Sequence, residues 1–168
     1  MNNRVQKSFT VAAASHFVDV ATNWTLVGTG GICHNAKAAA DETQTYTIPI
    51  NIPRTINVQG IKITKIEVPM RVAVANLDAA MAPTLYRINM LAVAAANVDI
   101  TASTITTTDD TFVAFDANDR LLTVTVTTPI DDLTTQAKCS YSLNLTLNAA
   151  STTTIRVYDA IVYYEELT

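Results

Sequence analysis

Apolar and polar side chains alternate along the stretch from residue 65 to residue 74. Alternate side chains of a β-strand point to opposite faces of a sheet, so this pattern predicts an amphipathic strand with one face in the core. Pro69 lies on the polar face and has no N–H to donate to a neighbouring strand. We therefore expect the strand to lie at a sheet edge or to carry an irregularity at the proline. The apolar face consists of Ile66, Val68, Met70, Val72 and Val74.

Two other stretches alternate in the same way, at even positions from 46 to 52 and at odd positions from 139 to 147. Between the first of these and the strand at 65–74, the phase of the pattern changes. Ile61 and Ile63 are odd-numbered, whereas Ile66 restores the even phase. A shift of one residue would turn a strand inside out, so we expect a bulge or a tight turn near Gly60 and near Thr64–Lys65.

The end of the chain predicts a final strand from Thr153 to Glu165 that is apolar on both faces near its end. Two apolar faces are typical of a strand that contacts both a core and a partner. Residues 76–82, which Pro83 follows, predict one short helix or wide turn. Shorter apolar runs separated by turns rich in Asp and Asn predict four more strands, at about 84–93, 98–106, 112–115 and 121–127.

These elements amount to eight to ten strands with almost no helix, which is typical of an all-β antiparallel sandwich or barrel. Long strands with bulges and one helical insertion favour a β-sandwich of the jelly-roll type. An immunoglobulin sandwich is not favoured, because Trp24 precedes both Cys33 and Cys139. A chain of 168 residues is one domain of ordinary size. We predict a single sandwich domain over residues 21–168, preceded by residues 1–20 as an N-terminal arm or edge strand.

Charged residues make up 15% of the chain, against a usual fraction of about 25%. This shortage predicts that a partner covers part of the surface, although a surface of Thr and Asn would also be compatible with water. The net charge of −4 argues against nucleic-acid binding, which requires a basic surface. No apolar run reaches the roughly 18 residues of a membrane helix. The apolar part of the N-terminus is short for a signal peptide, so we expect an uncleaved chain made inside the cell.

No group of residues matches the pattern of a catalytic, cofactor-binding or metal site. His16 and His34 lack partners at ligand spacing. Cys33 and His34 are neighbours, and neighbouring side chains on a strand point to opposite faces, so they cannot form a nucleophile–base pair. The acidic and amide residues at 116–119 predict a turn in preference to a calcium loop. We therefore predict no enzymatic activity, no cofactor and no metal.

Aromatic and apolar residues near the two ends of the chain are candidates for contact with a partner. Tyrosine suits an interface because its ring is apolar and its hydroxyl can form a hydrogen bond. The same residues could instead fill the core, and the sequence pattern leaves that alternative open. The candidates are Phe9, Val11 and Phe17 near the N-terminus and Tyr158, Tyr163 and Tyr164 near the C-terminus.

The segment 61–90, which contains Ile-Lys-Ile-Thr-Lys-Ile-Glu-Val-Pro-Met-Arg-Val and then Leu-Asp-Ala-Ala-Met, resembles the jelly-roll structural proteins of tailed phages. The segment 155–166, Ile-Arg-Val-Tyr-Asp-Ala-Ile-Val-Tyr-Tyr-Glu-Glu, resembles them as well. Over residues 44–168 the chain is similar in pattern to the small capsid decoration (cement) proteins. This resemblance implies a homo-oligomer, with a trimer favoured, that binds the major capsid protein on the exterior of the virion. It implies no catalytic residues.

An alternative function is that of a receptor- or carbohydrate-binding β-sandwich module of a phage tail fibre or spike. Such a module would use loops at one end of the sandwich, and a sugar bound near Trp24 or the tyrosines would favour it. A small β-barrel enzyme of the cupin type is a third possibility, and it would require a metal-binding cluster of histidines that the chain lacks.

Overall fold

The computed structural model describes residues 4–19, 23–29, 32–53, 60–78, 81–89, 99–103, 105–107, 118–127 and 139–167. These residues form thirteen strands and one short 3-10 turn, Ala13–Ser15. The count exceeds the predicted eight to ten because several short strands accompany the long ones. The strands are β1 Arg4–Val11, β2 Phe17–Val18, β3 Trp24–Thr29, β4 Ile32–Lys37, β5 Glu42–Ile50, β6 Gly60–Ala73, β7 Ala82–Asn89, β8 Asp99–Ser103, β9 Ile105–Thr107, β10 Arg120–Val126, β11 Cys139–Ala149, β12 Thr154–Tyr158 and β13 Ala160–Leu167.

Eight of the strands pair as a nested antiparallel series. β7 pairs with β8, β6 with β10, β5 with β11 and β4 with β12. Successive pairs belong alternately to two different sheets, so one long ribbon is rolled into a sandwich. This connectivity is that of a jelly roll, and the predicted fold class is therefore confirmed.

The larger sheet has eight strands, and its main path runs β1-β13-β6-β12-β4-β3. β10 lies on the opposite side of β6 from β12 and β13, and β9 pairs with β10. β12 and β13 follow one another along the same side of β6, separated only by Asp159. The predicted final strand is therefore two strands with a break at this aspartate. The smaller sheet has five strands in the order β2-β5-β11-β7-β8.

The core lies between the sheets, and β5, β6 and β11 supply most of its fully buried side chains. These are the apolar faces that the alternating sequence predicts, so the predicted orientation of all three strands is confirmed. Val74 is the exception: the pattern places it on the buried face, but it follows the end of β6 and is exposed. Burying one such aliphatic side chain stabilises the fold by about 1.5–3 kcal/mol. Side chains with no exposed surface include Tyr46, Ile48, Ile50, Ile66, Val68, Met70, Leu143 and Leu145.

The bulge expected at Thr64–Lys65 is confirmed. β13 pairs with Lys65 and then with Ile63, and so skips Thr64. One extra residue in β6 keeps Ile63 on the buried face although its number has the other parity. The turn expected near Gly60 involves residues 54–59, which lie outside the described residues.

β6 is a central strand, so the expectation of an edge position is wrong; the feature found at Pro69 is a change of neighbouring strand on one side of β6. Pro69 lies opposite Leu121 of β10. On the other side of β6, pairing with β13 ends at Glu67 and pairing with β12 begins at Met70. The proline thus occupies the point where β6 changes its partner strand, where a missing N–H disturbs the ladder least.

Of the two alternatives expected over residues 76–82, the helix is wrong for the residues that the structure describes, whereas a wide turn between β6 and β7 fits them. Leu77 is buried and forms an isolated bridge with Ala149 at the end of β11, and the N–H of Asp78 donates to the carbonyl of Asn148 at 2.9 Å. Ala82 already belongs to β7. Hydrogen bonds to β11 therefore replace the local bonds of a helix. Residues 79–80 lie outside the described part.

The remaining predicted strands are found with shifted ends. The strand expected at 84–93 is β7, the one at 98–106 is divided into β8 and β9, and the one at 121–127 is β10. The strand expected at 112–115 lies outside the described residues. Within the part of the chain that the structure describes, no helix is long and apolar enough to cross a membrane.

Val74 follows β6 with its side chain 67% exposed and a φ of 75°. β-branched residues avoid this left-handed region at a cost of about 1–2 kcal/mol. We expect Val74→Gly to raise the free energy of unfolding by about 1 kcal/mol, since glycine adopts this φ without strain. Urea denaturation measures the change. Ala73→Gly is the matched control inside the strand and should be destabilising; the same sign for both variants would contradict the strain at Val74.

Candidate partner-binding surface

The N-terminal segment crosses from one sheet to the other. β1 pairs with β13 over eight residues and forms an edge of the larger sheet. After the turn at Ala13–Ser15, β2 pairs with β5 and forms an edge of the smaller sheet. The segment therefore closes one side of the sandwich and presents its own residues there.

Hydrogen bonds hold the turn of this segment against the larger sheet. The N–H of Ala13 donates to Oδ1 of Asp159 at 2.7 Å, and the carbonyl of Ala13 accepts from Nδ2 of Asn35 at 2.7 Å. Asp159 reaches the turn because it sits in the break between β12 and β13. Ala13 is fully buried, so both of its backbone groups need these partners.

A second set of contacts ties the segment to the smaller sheet through Tyr46. Nδ1 of His16 lies 2.8 Å from the Tyr46 hydroxyl, and Nδ2 of Asn35 donates to the same hydroxyl at 2.6 Å. The hydroxyl accepts from Asn35 and shares a second hydrogen bond with Nδ1 of His16, whose direction is set by the tautomer of the ring. Burial lowers the pKa of His16 to about 4 and raises the pKa of Tyr46. The network is thus built for an uncharged histidine.

A groove of about 360 Å³ lies beside β1, between β1 and the end of β5. None of the described residues that line it is ionisable, so they supply no side-chain acid or base. Its lining includes Phe9, Thr10, Val11, Pro49, Asn51 and Pro53.

The three N-terminal candidate residues occupy this region in different ways. Phe9 and Val11 line the groove, Val11 is buried, and the ring of Phe9 packs edge-on against Tyr164 with 5.8 Å between centroids. Phe17 is 63% exposed. It is paired with Thr47 on the outer face of the smaller sheet, two residues from Pro49. These residues therefore form one continuous surface, defined here as the N-terminal edge surface: β1, the groove and Phe17.

The three C-terminal tyrosines do not lie together. Tyr164 is 4% exposed and packs in the core beneath Phe9. Tyr163 is on the outer face of the larger sheet, where its hydroxyl donates to Oε2 of Glu67 at 2.8 Å and Lys65 Nζ lies 4.0 Å from its ring centroid. The hydroxyl of Tyr158 donates to Oδ1 of Asp119 at 3.1 Å. Their role as partner contacts stays a prediction.

Trp24, one of the residues near which a bound sugar would favour the carbohydrate-binding alternative, packs inward. Its ring lies 4.8 Å from that of Tyr46, and its Nε1 donates to Oε1 of the buried Gln44. Partly exposed rings lie instead on the outer face of the larger sheet, where Tyr158 packs against His34 with 5.1 Å between the ring centroids.

The outer face of the smaller sheet accounts for much of the low charge of the chain. The outward side chains of β5, β11 and the described part of β7 carry no charge. This face is covered by hydroxyl and amide groups, so both explanations of the low charge, a partner-covered surface and a wet Thr/Asn surface, stay open. The outward residues are Thr43, Thr45, Thr47, Pro49, Thr84, Tyr86, Ser140, Ser142, Asn144, Thr146 and Asn148.

Sequence reasoning missed the β5 end of the groove, formed by Pro49, Asn51 and Pro53. Two prolines on the polar side of an amphipathic strand were the available signal, since proline there limits further pairing. Among the residues that the structure describes, no three His, Cys, Asp or Glu side chains are placed to hold a metal ion.

No family model matches the sequence, and no curated protein matches it. Among solved structures, the xylan-binding module CBM15 aligns with a TM-score of 0.48 and 13% identity over 98% of both chains. A structure of infectious bursal disease virus, Gx strain, aligns with a TM-score of 0.47 and 14% sequence identity, over 96% of this chain and 32% of the viral chain. A family two carbohydrate esterase from Cellvibrio japonicus aligns with a TM-score of 0.44 and 6% sequence identity, over 98% of this chain and 36% of the esterase. The chain thus spans about a third of the last two proteins, and similarities this weak carry no information on function.

Proposed function

We propose that this chain is a viral structural protein, a capsid decoration protein that binds the major capsid protein on the exterior of the virion and self-associates, with a trimer favoured. The sequence resemblance to phage decoration proteins motivates the proposal. The N-terminal edge surface is the observation that carries it, because it combines three features that a protein partner can use.

The first feature is the open edge of β1. Within the described residues β1 has one neighbouring strand, β13, so its other edge presents N–H and C=O groups to the outside. An extended segment of a partner can pair with such an edge and gain backbone hydrogen bonds. The second feature is the uncharged groove next to that edge, into which apolar side chains of the same segment would fit.

The third feature is Phe17, an exposed aromatic ring beside the groove. Exposed rings that become buried on binding supply much of the energy of many protein interfaces. A capsid repeats the same contact over many copies, so contacts of modest individual strength hold the lattice together through multivalency. The protein therefore acts by contact alone, and the proposal assigns it no chemical reaction.

Phe17→Asp tests this surface. We expect the substitution to reduce capsid occupancy at least about tenfold, because losing a central aromatic contact commonly costs more than 1.4 kcal/mol. The measurement is co-sedimentation of the purified chain with capsids that lack it, together with the mass in solution by light scattering. Phe17 is exposed, so folding should be unchanged, whereas deleting residues 1–20 would remove β1 and its pairing with β13.

Leu26→Asp is the matched control, since Leu26 is an exposed apolar residue, 49% accessible, on the edge strand β3. Its occupancy should equal that of the unchanged chain. Failure of the unchanged chain to sediment with capsids would overturn the proposed function. Equal losses from both substitutions would leave capsid binding in place and remove the N-terminal edge surface from it.

A second candidate function is binding of a carbohydrate receptor. The observation that favours it is the outer face of the larger sheet, where Tyr158 and His34 lie side by side with partly exposed rings. Such rings provide an apolar platform with polar groups around it, as ligand sites commonly do. Oligosaccharide binding measured by calorimetry, and its loss in Tyr158→Ala, distinguishes this function from a purely protein-binding one.

A further inference from the structure

Two arginines lie directly opposite each other on the outer face of the larger sheet. Arg71 of β6 is paired with Arg156 of β12. Side chains opposite each other in an antiparallel pair have Cβ atoms about 4.5–5.5 Å apart, and like-charged residues placed directly opposite destabilise the pair. The sheet therefore holds two positive charges together without a benefit to its own stability.

Within the described residues, neither arginine has an ion-pair partner. Nε of Arg71 is buried and makes no hydrogen bond, and Nδ1 of the nearby His34 is in the same condition. A buried N–H of a guanidinium without an acceptor is costly, so such groups in folded proteins call for an explanation. An anion placed between the two guanidinium groups would offset the repulsion, and it would bind their terminal N–H groups, since Nε of Arg71 itself has almost no accessible surface.

Two flat rings, a phenol and an imidazole, border the arginine pair. Tyr158 lies two residues beyond Arg156 on the same face of β12, and it is paired with His34 of β4. Leu121 of β10 adds an apolar side chain that is 45% exposed. Asp119 accepts a hydrogen bond from the Tyr158 hydroxyl and so holds that ring at the border of the patch.

We propose that Arg71 and Arg156 bind the carboxylate of an acidic sugar whose ring lies over Tyr158 and His34. The inference rests on the second candidate function, carbohydrate binding, and names its ligand class. A guanidinium binds a carboxylate with two parallel hydrogen bonds, and such charge-assisted bonds are the stronger ones. The rings and Leu121 take the apolar face of the sugar, and Asp119 offers an acceptor for a sugar hydroxyl.

An acidic sugar fits these observations better than an acidic peptide. The arginine pair covers only one edge of the patch, and the remainder is made of rings and an aliphatic side chain, with the carboxylate of Asp119 beside them. A run of several acidic side chains would meet that carboxylate, whereas a single carboxylate on a flat ring meets the arginines alone. The patch is therefore shaped for one negative charge next to one apolar surface.

The test uses the full chain and three probes: trigalacturonic acid, neutral cellotriose and a short Glu-rich peptide. Binding is measured by calorimetry and by chemical-shift changes on the outer face of the larger sheet. We expect the uronate to bind, and its affinity to fall at least about tenfold in Arg156→Gln and in Arg71→Gln, as the loss of a charge-assisted hydrogen bond predicts. The thermal midpoint of Arg156→Gln should be unchanged or higher, since the repulsion between the guanidinium groups is removed. If the role of Arg156 were purely structural, Arg156→Gln would lower the thermal midpoint and leave uronate affinity unchanged.

Arg156 is exposed, so its variant should fold even if Arg71→Gln does not. Uronate binding that is absent, or that both substitutions leave unchanged, overturns the arginine site. If cellotriose then still binds and requires Tyr158, the carbohydrate-binding function survives without the arginine site; if neither sugar binds, both fail. Tighter binding of the Glu-rich peptide through the same arginines would overturn the sugar assignment and make the patch a protein contact.

Discussion

Val68→Asp is expected to prevent folding. Val68 has no exposed surface and lies opposite Leu122 of β10, so the new carboxylate would be buried among aliphatic side chains without a partner. Burying an unpaired charge costs several kcal/mol or forces protonation, and a domain has only about 5–15 kcal/mol of stability to lose. Soluble yield, circular dichroism and urea denaturation measure the effect.

The matched control is Thr125→Asp in the neighbouring strand. Thr125 is opposite Lys65 on the outer face, where water and a lysine ammonium group meet the new carboxylate. We expect the free energy of unfolding of Thr125→Asp to differ from that of the unchanged chain by no more than about 0.5 kcal/mol. Glu67→Ser should lower the free energy of unfolding by more than is usual for a surface residue, because Glu67 accepts hydrogen bonds from Lys65 at 2.6 Å and from Tyr163 at 2.8 Å. Damage from Thr125→Asp as large as that from Val68→Asp would show that the two faces of this sheet are assigned wrongly.

Stability is expected to fall as the pH drops from about 6.5 to about 4, through the protonation of His16. The folded chain holds the pKa of His16 at about 4, below its ordinary value of 6.5, chiefly because the ring is buried. The unfolded chain therefore takes up the proton first as the pH falls, and the free energy of unfolding decreases until the folded pKa is reached. A shift of this size corresponds to a loss on the order of 3 kcal/mol.

The contribution of His16 is measured as a difference between variants, since carboxylates also titrate in this range. In His16→Gln the unfolding free energy should change less between pH 7 and pH 4 than in the unchanged chain. His34→Gln is the control and should keep the full dependence, because His34 lies outside the contacts of His16 with Tyr46. The negative charge of Asp159 raises the pKa of His16, so Asp159→Asn should lower that pKa further. Identical pH profiles for the His16 and His34 variants would contradict the network.

The alternation of apolar and polar side chains was sufficient to predict the long strands and their buried faces. In β5, β6 and β11 the predicted buried faces agree with the structure, because a two-residue period leaves only one way to bury the apolar side chains. The phase change between Ile63 and Ile66 was sufficient to place the bulge at Thr64. The helix at 76–82 was the failure, since its residues have acceptable helical propensity and only the nearby end of β11 offers Leu77 and Asp78 better partners.

By itself, the sequence of this protein determined which side chains face the core and therefore that the chain forms an antiparallel sandwich. Only the tertiary structure decided that β6 is central, that Asp159 divides the last strand, and that Arg71 meets Arg156 on one face. The candidate contact residues likewise separated into buried and exposed groups only in three dimensions. Side-chain alternation is a local property of each strand, whereas the neighbours of a strand depend on pairing between segments that are distant in the chain.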